Sequence, residues 1–201
     1  IAVVEEAAGS IAGPDHAAEL REAVLIYARE VAFAAAQVYA QAAEARGAWD
    51  ARLEAMVVDA LMRGEPDEAL RSRAAALGWG SPESITVVIG SPPDDDDDSI
   101  VDGVRRAARH AGLDVLVAVQ GDRLVAVLGG ATDPINGSRA LIAQFGSGPI
   151  VTGPTVTDLM SAAESAQAAI AGLRAARPRT AVPRPVLASE LLPARAIEGD
   201  L

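Results

Sequence analysis

The sequence predicts an α+β fold, with a helical N-terminal region followed by a sandwich of strands and helices. Three observations support this prediction. Half of the 201 residues are apolar, which is enough for a sizeable core. Apolar residues spaced three and four apart dominate the first 78 residues, a period typical of helices. After that point, short apolar runs alternate with helical patterns, as in proteins that mix helices and strands.

The first helical pattern begins at Asp15 and runs without a breaker to about Arg46, roughly 45 Å at 1.5 Å per residue. One face carries the apolar side chains of Leu20, Val24, Tyr27, Val31, Ala35 and Val38. Many alanines keep the rest of the surface small and permit close approach of another helix. Two interpretations stay open at this point: a homodimer through residues 20–46, or a helix packed against its own chain.

Two shorter helices follow. Gly47 is expected to bend the chain, residues 49–63 to form a second helix, and residues 67–77 a third that ends at Gly78. Residues 85–89 are then expected to form a buried strand, and residues 100–111 an amphipathic helix. The five aspartates at 94–98 lie between them. They favour a solvated loop that caps the next helix over a cation site, because adjacent loop residues rarely converge on one ion.

Two valine-rich runs at 115–119 and 124–128 flank a polar break with a glycine, which predicts a β-hairpin. Both runs are almost wholly apolar, so we expect this hairpin at the centre of the sheet, with helices around it. Further elements are predicted at 136–145 (helix), 149–151 (strand), 155–176 (helix), 186–187 (edge strand) and 191–198 (helix).

The order of these elements is βαββαβ with an extra helix, typical of ferredoxin-like and nucleotidyl-cyclase-like sandwiches. The predicted domains are a helical dimerisation region at 1–80, a sandwich domain at 81–182, and a linker with a short helix at 183–201.

Composition excludes several classes of function. Arginine supplies all 17 positive residues against 28 acidic ones, giving a net charge of −11, which argues against direct nucleic-acid binding. The chain has no cysteine and two histidines, so no metal and no cofactor are predicted. We expect no apolar run as long as a membrane span, and a cytoplasmic bacterial protein.

The turn of the hairpin resembles a known catalytic motif. Gln120-Gly121-Asp122-Arg123-Leu124 resembles the Gly-Gly-Asp-Glu-Phe signature of diguanylate cyclases, with three of the five positions changed. That resemblance implies an acidic fourth position for metal and phosphate, and a further aspartate after the first strand. Here Arg123 stands at the fourth position, and the first strand runs into Ser91. We therefore expect a degenerate, catalytically inactive domain without catalytic residues.

A wider resemblance covers roughly residues 40–200. Residues 43–66 with 76–79, the degenerate hairpin, and residues 186–200 together are similar to the PucR/CdaR-type bacterial transcriptional regulators. Within that family, the chain is similar to actinobacterial regulators of fatty-acid or polyketide synthase expression. The resemblance implies a dimeric, signal-receiving region that responds to a small-molecule effector. DNA would be bound only through a C-terminal helix-turn-helix that this chain lacks.

An enzymatic alternative stays open. In a divergent metal-dependent nucleotide cyclase or phosphohydrolase, Asp122 and the aspartates at 94–98 would share a metal ion. A third possibility is a scaffold whose sheet domain binds another protein. No ligand-binding residues can be assigned from the sequence.

Overall fold

A computed structural model describes residues 13, 16–65, 67–80, 82–94, 97–178, 182–193 and 196. In chain order, the helices are α1 (Ala17–Arg63), α2 (Glu68–Ala76), α3 (Asp97–His110), α4 (Pro134–Arg139) and α5 (Ala162–Ala176). The strands are β1 (Ile85–Gly90), β2 (Asp114–Gln120), β3 (Arg123–Gly129), β4 (Val151–Thr152) and β5 (Val186–Leu187). Two 3-10 turns lie at Ile142–Gln144 and Ala188–Leu191. The α+β fold class is confirmed, with a long N-terminal helix followed by a mixed five-stranded sheet.

The predicted bend at Gly47 is wrong, because α1 is one continuous helix of 47 residues. A single glycine inside a helix costs only about 1 kcal/mol relative to alanine, so it need not interrupt the helix. The proposed start signals at Pro14 and Asp15 lie outside the described residues. Packing divides the chain into two compact units, residues 1–49 and 50–201. The domain limits expected at 80 and 182 remain predictions.

Residues 18–63 of α1 also correct the expectation about membrane spans. Their most apolar stretch has a mean hydropathy of 1.2, so by length and composition alone this helix is a candidate span. Such composition also occurs in helices of soluble proteins, so a single candidate is weak evidence.

The strand order is β2-β3-β1-β4-β5, with every neighbouring pair antiparallel except β4 and β5. The hairpin β2–β3 therefore occupies one side of the sheet, and β1 is the central strand. The expectation that the hairpin forms the centre is wrong. Its apolar residues are buried because helices cover both faces of the sheet, and that cover does not require a central position in the strand order.

Successive residues of the strands point to opposite faces and enter two cores. On one face, Val87 and Val127 pack with residues 57–62 of α1 and with α2 and α5. On the other face, Val88 and Val117 pack with α3, Leu141 and Phe145.

Several other predicted elements have different limits, and the strand expected at 149–151 is β4 at Val151–Thr152. The helix expected at 155–176 begins at Ala162, because Asp158 accepts hydrogen bonds from the backbone N–H groups of Met160 and Ser161 in a separate turn. The helix expected at 136–145 is α4 followed by a 3-10 turn. The helix expected at 191–198 is preceded by a 3-10 turn, and positions 194, 195, 197 and 198 lie outside the described residues.

Candidate functional site

The degenerate turn is a tight connection between β2 and β3. Gln120 pairs with Arg123 across the hairpin, so only Gly121 and Asp122 form the loop. Gly121 has φ of 60°, a left-handed conformation that glycine adopts without strain. Leu124, the position of the motif's aromatic residue, is fully buried in the core beneath α3. The motif's geometry as a hairpin turn is therefore retained.

Asp122 is engaged by two arginines. The guanidinium of Arg177, just after α5, donates to Asp122 Oδ2 at 2.5 Å, and Arg123 Nε lies 3.5 Å from Asp122 Oδ1. The hydrogen bond from Arg177 holds the pKa of Asp122 below its usual value, with the charges of both arginines adding to the effect. The one carboxylate of the turn is thus ionised and paired with two protein cations, although its side chain is 64% exposed.

The surface directly after β1 is filled by protein. The register places Gly90 opposite Leu124, so Ser91 occupies the position that follows the first strand, beside the hairpin. Gly146 donates its N–H to the Ser91 carbonyl at 2.9 Å. A side chain on Gly90 would place its Cβ 2.7 Å from Phe145 Cδ1, and one on Gly146 would place its Cβ 2.3 Å from the Pro92 carbonyl oxygen. The segment around Phe145 therefore packs tightly on this surface.

The aspartates at 94–98 do not form a metal centre in the part of the chain that the structure describes. Asp94 is exposed, and Asp97 and Asp98 lie in the first turn of α3, where negative charge complements the helix dipole. Asp95 and Asp96 lie outside the described residues. Among the described residues, no three histidine or acidic side chains come close enough together to hold a metal ion.

One buried carboxylate was missed by the sequence reasoning. Glu54 of α1 is only 4% exposed, although it has the spacing of an ordinary helix acid. Its Oε1 accepts a hydrogen bond at 2.7 Å from the backbone N–H of Val117 in β2, the outermost strand on that side of the sheet. Its Oε2 accepts a short hydrogen bond from Arg105 of α3, which also lies 3.3 Å from Asp102. Only the apolar spacing around it, Leu53 with Val57, hinted that this part of α1 is buried.

These contacts join three elements at the exposed side of β2. Glu54 comes from the helix on one face of the sheet, Arg105 from the helix on the other, and Val117 from the strand between them. Burial lowers the pKa of Arg105, but the hydrogen bond and charge of Glu54 outweigh it, and the pKa is raised overall. We call these three residues the edge clamp. Glu54 accepts a hydrogen bond from the Val117 N–H, which would otherwise be open to pairing with an added strand. The edge clamp therefore protects the sheet edge.

Comparisons with known proteins agree with this architecture. Residues 63–175 match the family model described as a GGDEF-like domain. Uncharacterized proteins of Mycobacterium tuberculosis and Mycobacterium bovis are 45% identical over 186 residues, which is 88% of this chain and 45% of theirs. The chain therefore spans about half the length of these curated relatives.

A solved structure is also similar. The crystal structure of a regulator of polyketide synthase expression from Bifidobacterium adolescentis aligns with a TM-score of 0.63 at 25% sequence identity. The alignment covers 74% of this chain and 59% of that one. Because the family model matches more than half of the residues, this chain belongs to the GGDEF-like domain family.

Proposed function

We propose that this chain is the dimerising, signal-receiving portion of a PucR/CdaR-like transcriptional regulator, with a catalytically inactive GGDEF-like domain. The observation that supports this most directly is the structural similarity to a regulator of polyketide synthase expression. The neutralised carboxylate of Asp122 and the filled surface after β1 agree with a regulatory role. The regulated genes would encode enzymes of fatty-acid or polyketide synthesis, and the protein would come from an actinobacterium.

DNA would be bound by a separate helix-turn-helix encoded after Leu201, since the chain's own charge is −11. The relatives are about twice as long as the matched region, which leaves room for such a domain. The protein would act in the cytoplasm and respond to a small-molecule effector by shifting between two dimer arrangements. Reading the codons after Leu201 tests the family assignment directly, and an open reading frame without a helix-turn-helix would contradict it.

Nucleotide turnover separates this proposal from the enzymatic alternative. With GTP and Mg²⁺ or Mn²⁺, we expect no cyclic di-GMP, because phosphoryl transfer between two metal ions needs carboxylates on both sides of the ions. Chromatography of the reaction products measures cyclic di-GMP, and an active diguanylate cyclase serves as the positive control. Product formation that disappears in Asp122→Ala would establish the enzyme and reject the inactive domain.

The dimer is proposed to form through the part of α1 in residues 17–49. This segment exposes large apolar side chains on several sides, including Tyr27 at 68% and Val38 at 65%. A helix that is apolar around much of its surface is normally covered by another element. Glu30 and Glu44 enclose the longest uncharged stretch, which spans only about 20 Å at 1.5 Å per residue. A bilayer core is about 30 Å thick, so this stretch is too short to span it. A partner helix therefore accounts for the exposed apolar side chains better than lipid does.

The spacing of the valines favours a second copy of the same helix. Val24, Val31 and Val38 recur every seven residues, with Leu20, Tyr27 and Ala34 at the alternate positions of the same seam. In parallel coiled coils, valine at the first core position with leucine at the second favours two strands, and Leu20 fills one of the second positions here. We therefore propose a parallel homodimer in which these six residues form the seam.

The seam can be tested with two variants of similar exposure. Val38→Glu would place two facing, unpaired carboxylates in the seam of the homodimer, and we expect dimer affinity to fall by about 100-fold or more. Phe33→Glu is the matched control, because Phe33 is 65% exposed like Val38 but lies outside the seam. Sedimentation velocity across a concentration series gives both dissociation constants. A parent protein that stays monomeric at high concentration, or equal weakening by Phe33→Glu, would reject the seam.

A further inference from the structure

A cavity of about 300 Å³ lies between α2, the segment leading into β1, and the loop after β4. It is separate from the degenerate turn and from the edge clamp. Its lining is mostly apolar with two charged residues, and comprises Arg71, Ala74, Ala75, Trp79, Pro82, Ile85, Thr157, Asp158 and Leu159. Small-molecule sites have this character: a concave, mainly apolar wall with a few polar groups. The volume lies at the lower end of the roughly 300–1,000 Å³ range of ligand pockets, so any ligand must be small.

The two charged residues of the lining differ in how many hydrogen bonds and ion pairs they already make. Asp158 accepts from the N–H groups of Met160 and Ser161 and from the Ser161 hydroxyl at 2.8 Å. The Ser161 hydrogen bonds lower the pKa of Asp158, with a smaller contribution from the charge of Arg71, so its carboxylate stays ionised. Arg71 has a distant ion pair, with 3.8 Å between its Nη1 and Glu68 Oε2, and its side chain is 58% exposed. Guanidinium donors of Arg71 therefore remain for an anion.

Trp79 adds an apolar wall to the cavity. Its ring packs so closely on Gly129 that a Cβ there would lie 3.0 Å from Trp79 Cη2. The residue is 8% exposed, and its indole Nε1 has no hydrogen-bond partner within the described structure. That nitrogen is itself buried from solvent, so Trp79 offers a ligand in the cavity its apolar ring and not its N–H.

We propose that this cavity binds a small monocarboxylate with an apolar body. The carboxylate pairs with Arg71, and the apolar body lies against Trp79 and Leu159. Asp158 disfavours a second negative charge, so dicarboxylates and phosphates are poorer ligands. This inference goes beyond the proposed function, because binding at the cavity does not require that the protein regulate any gene.

The indole of Trp79 is a built-in reporter. In a Trp49→Phe background it is the only indole, because the chain has two tryptophans. Its N–H resonance can be followed by ¹H–¹⁵N NMR during titration with benzoate, phenylacetate and pentanoate up to about 20 mM, where millimolar affinities are measurable. We expect a saturable shift with at least one of these acids. The corresponding amides have nearly the same shape without the charge, and should bind at least tenfold more weakly.

Substitutions of two arginines on α2 test whether Arg71 pairs with the carboxylate of the ligand. Arg71→Gln should weaken carboxylate binding at least tenfold, and Arg71→Lys should retain part of it. Arg73→Gln is the matched control on α2, because Arg73 pairs with Asp67 and does not line the cavity. A dispersed spectrum verifies that each variant is folded. Absence of a saturable shift with all three acids, equal binding of acids and amides, or unchanged binding in Arg71→Gln would each overturn the proposal.

Discussion

Replacing Glu54 with alanine should lower the free energy of unfolding by about 2–4 kcal/mol. The substitution leaves the buried N–H of Val117 without its acceptor and removes the buried one of the two acidic partners of Arg105. The Arg105 side chain is 30% exposed and can regain water, which keeps the loss below that of a wholly buried ion pair. Urea unfolding at fixed protein concentration, with the m-value unchanged, measures the loss.

Two further variants separate the hydrogen bond from the charge. Glu54→Gln keeps an acceptor for Val117 but loses the charge, so it should cost less than Glu54→Ala. A double-mutant cycle of Glu54→Gln with Arg105→Gln should give a coupling energy of about 1 kcal/mol or more. Asp102→Asn is the control, because Asp102 is a mostly exposed partner of the same arginine and should matter by less than about 0.5 kcal/mol. Equal losses in Glu54→Ala and Asp102→Asn would show that the edge clamp does not stabilise the domain.

Local chemistry explains which parts of the fold were predictable. The helix expected at 67–77 exists because Asp67 accepts from the Leu70 N–H at 2.8 Å and caps α2. The hairpin follows from a glycine with positive φ between two valine-rich strands. Each of these features depends on residues within a few positions of one another, which a sequence pattern displays directly.

The missed features depend on contacts between distant residues. Arg177 reaches Asp122 across 55 positions, and Glu54 reaches Val117 across 63. Neither arginine nor glutamate on a helix has a pattern that marks it as buried or paired. The strand order could not be predicted for a related reason. An apolar strand is buried equally well at the side of a sheet when helices cover it, so its sequence does not reveal its position. Prediction from sequence therefore located the degenerate turn but not the groups that neutralise and support it.

The second large effect is expected at Val117 itself, where aspartate should destabilise the domain by on the order of 4 kcal/mol or more. Val117 is 2% exposed and lies in the core beneath α3. Arg105, the cation of the edge clamp, is already paired with Glu54 and Asp102, so the new carboxylate would enter an apolar cluster. It would also lie on the residue whose N–H already binds the carboxylate of Glu54, so the two negative charges would repel. Since domains are stable by only about 5–15 kcal/mol, a loss of this size should lower the melting temperature by roughly 10 °C or more.

Val119→Asp is the matched control, because Val119 lies two residues along β2 on the same face but is only half-buried near the turn. Its carboxylate can reach water, so a loss of about 1–2 kcal/mol and a retained transition are expected. Circular dichroism melting of both variants makes the comparison. β2 is the outermost strand on its side of the sheet, so its burial depends on the helix packed over it. A severe effect at Val117 with a mild one at Val119 would show that packing under α3 causes the loss. A Val117→Asp protein that melts within a few degrees of the parent would instead show that this face of the hairpin opens to water.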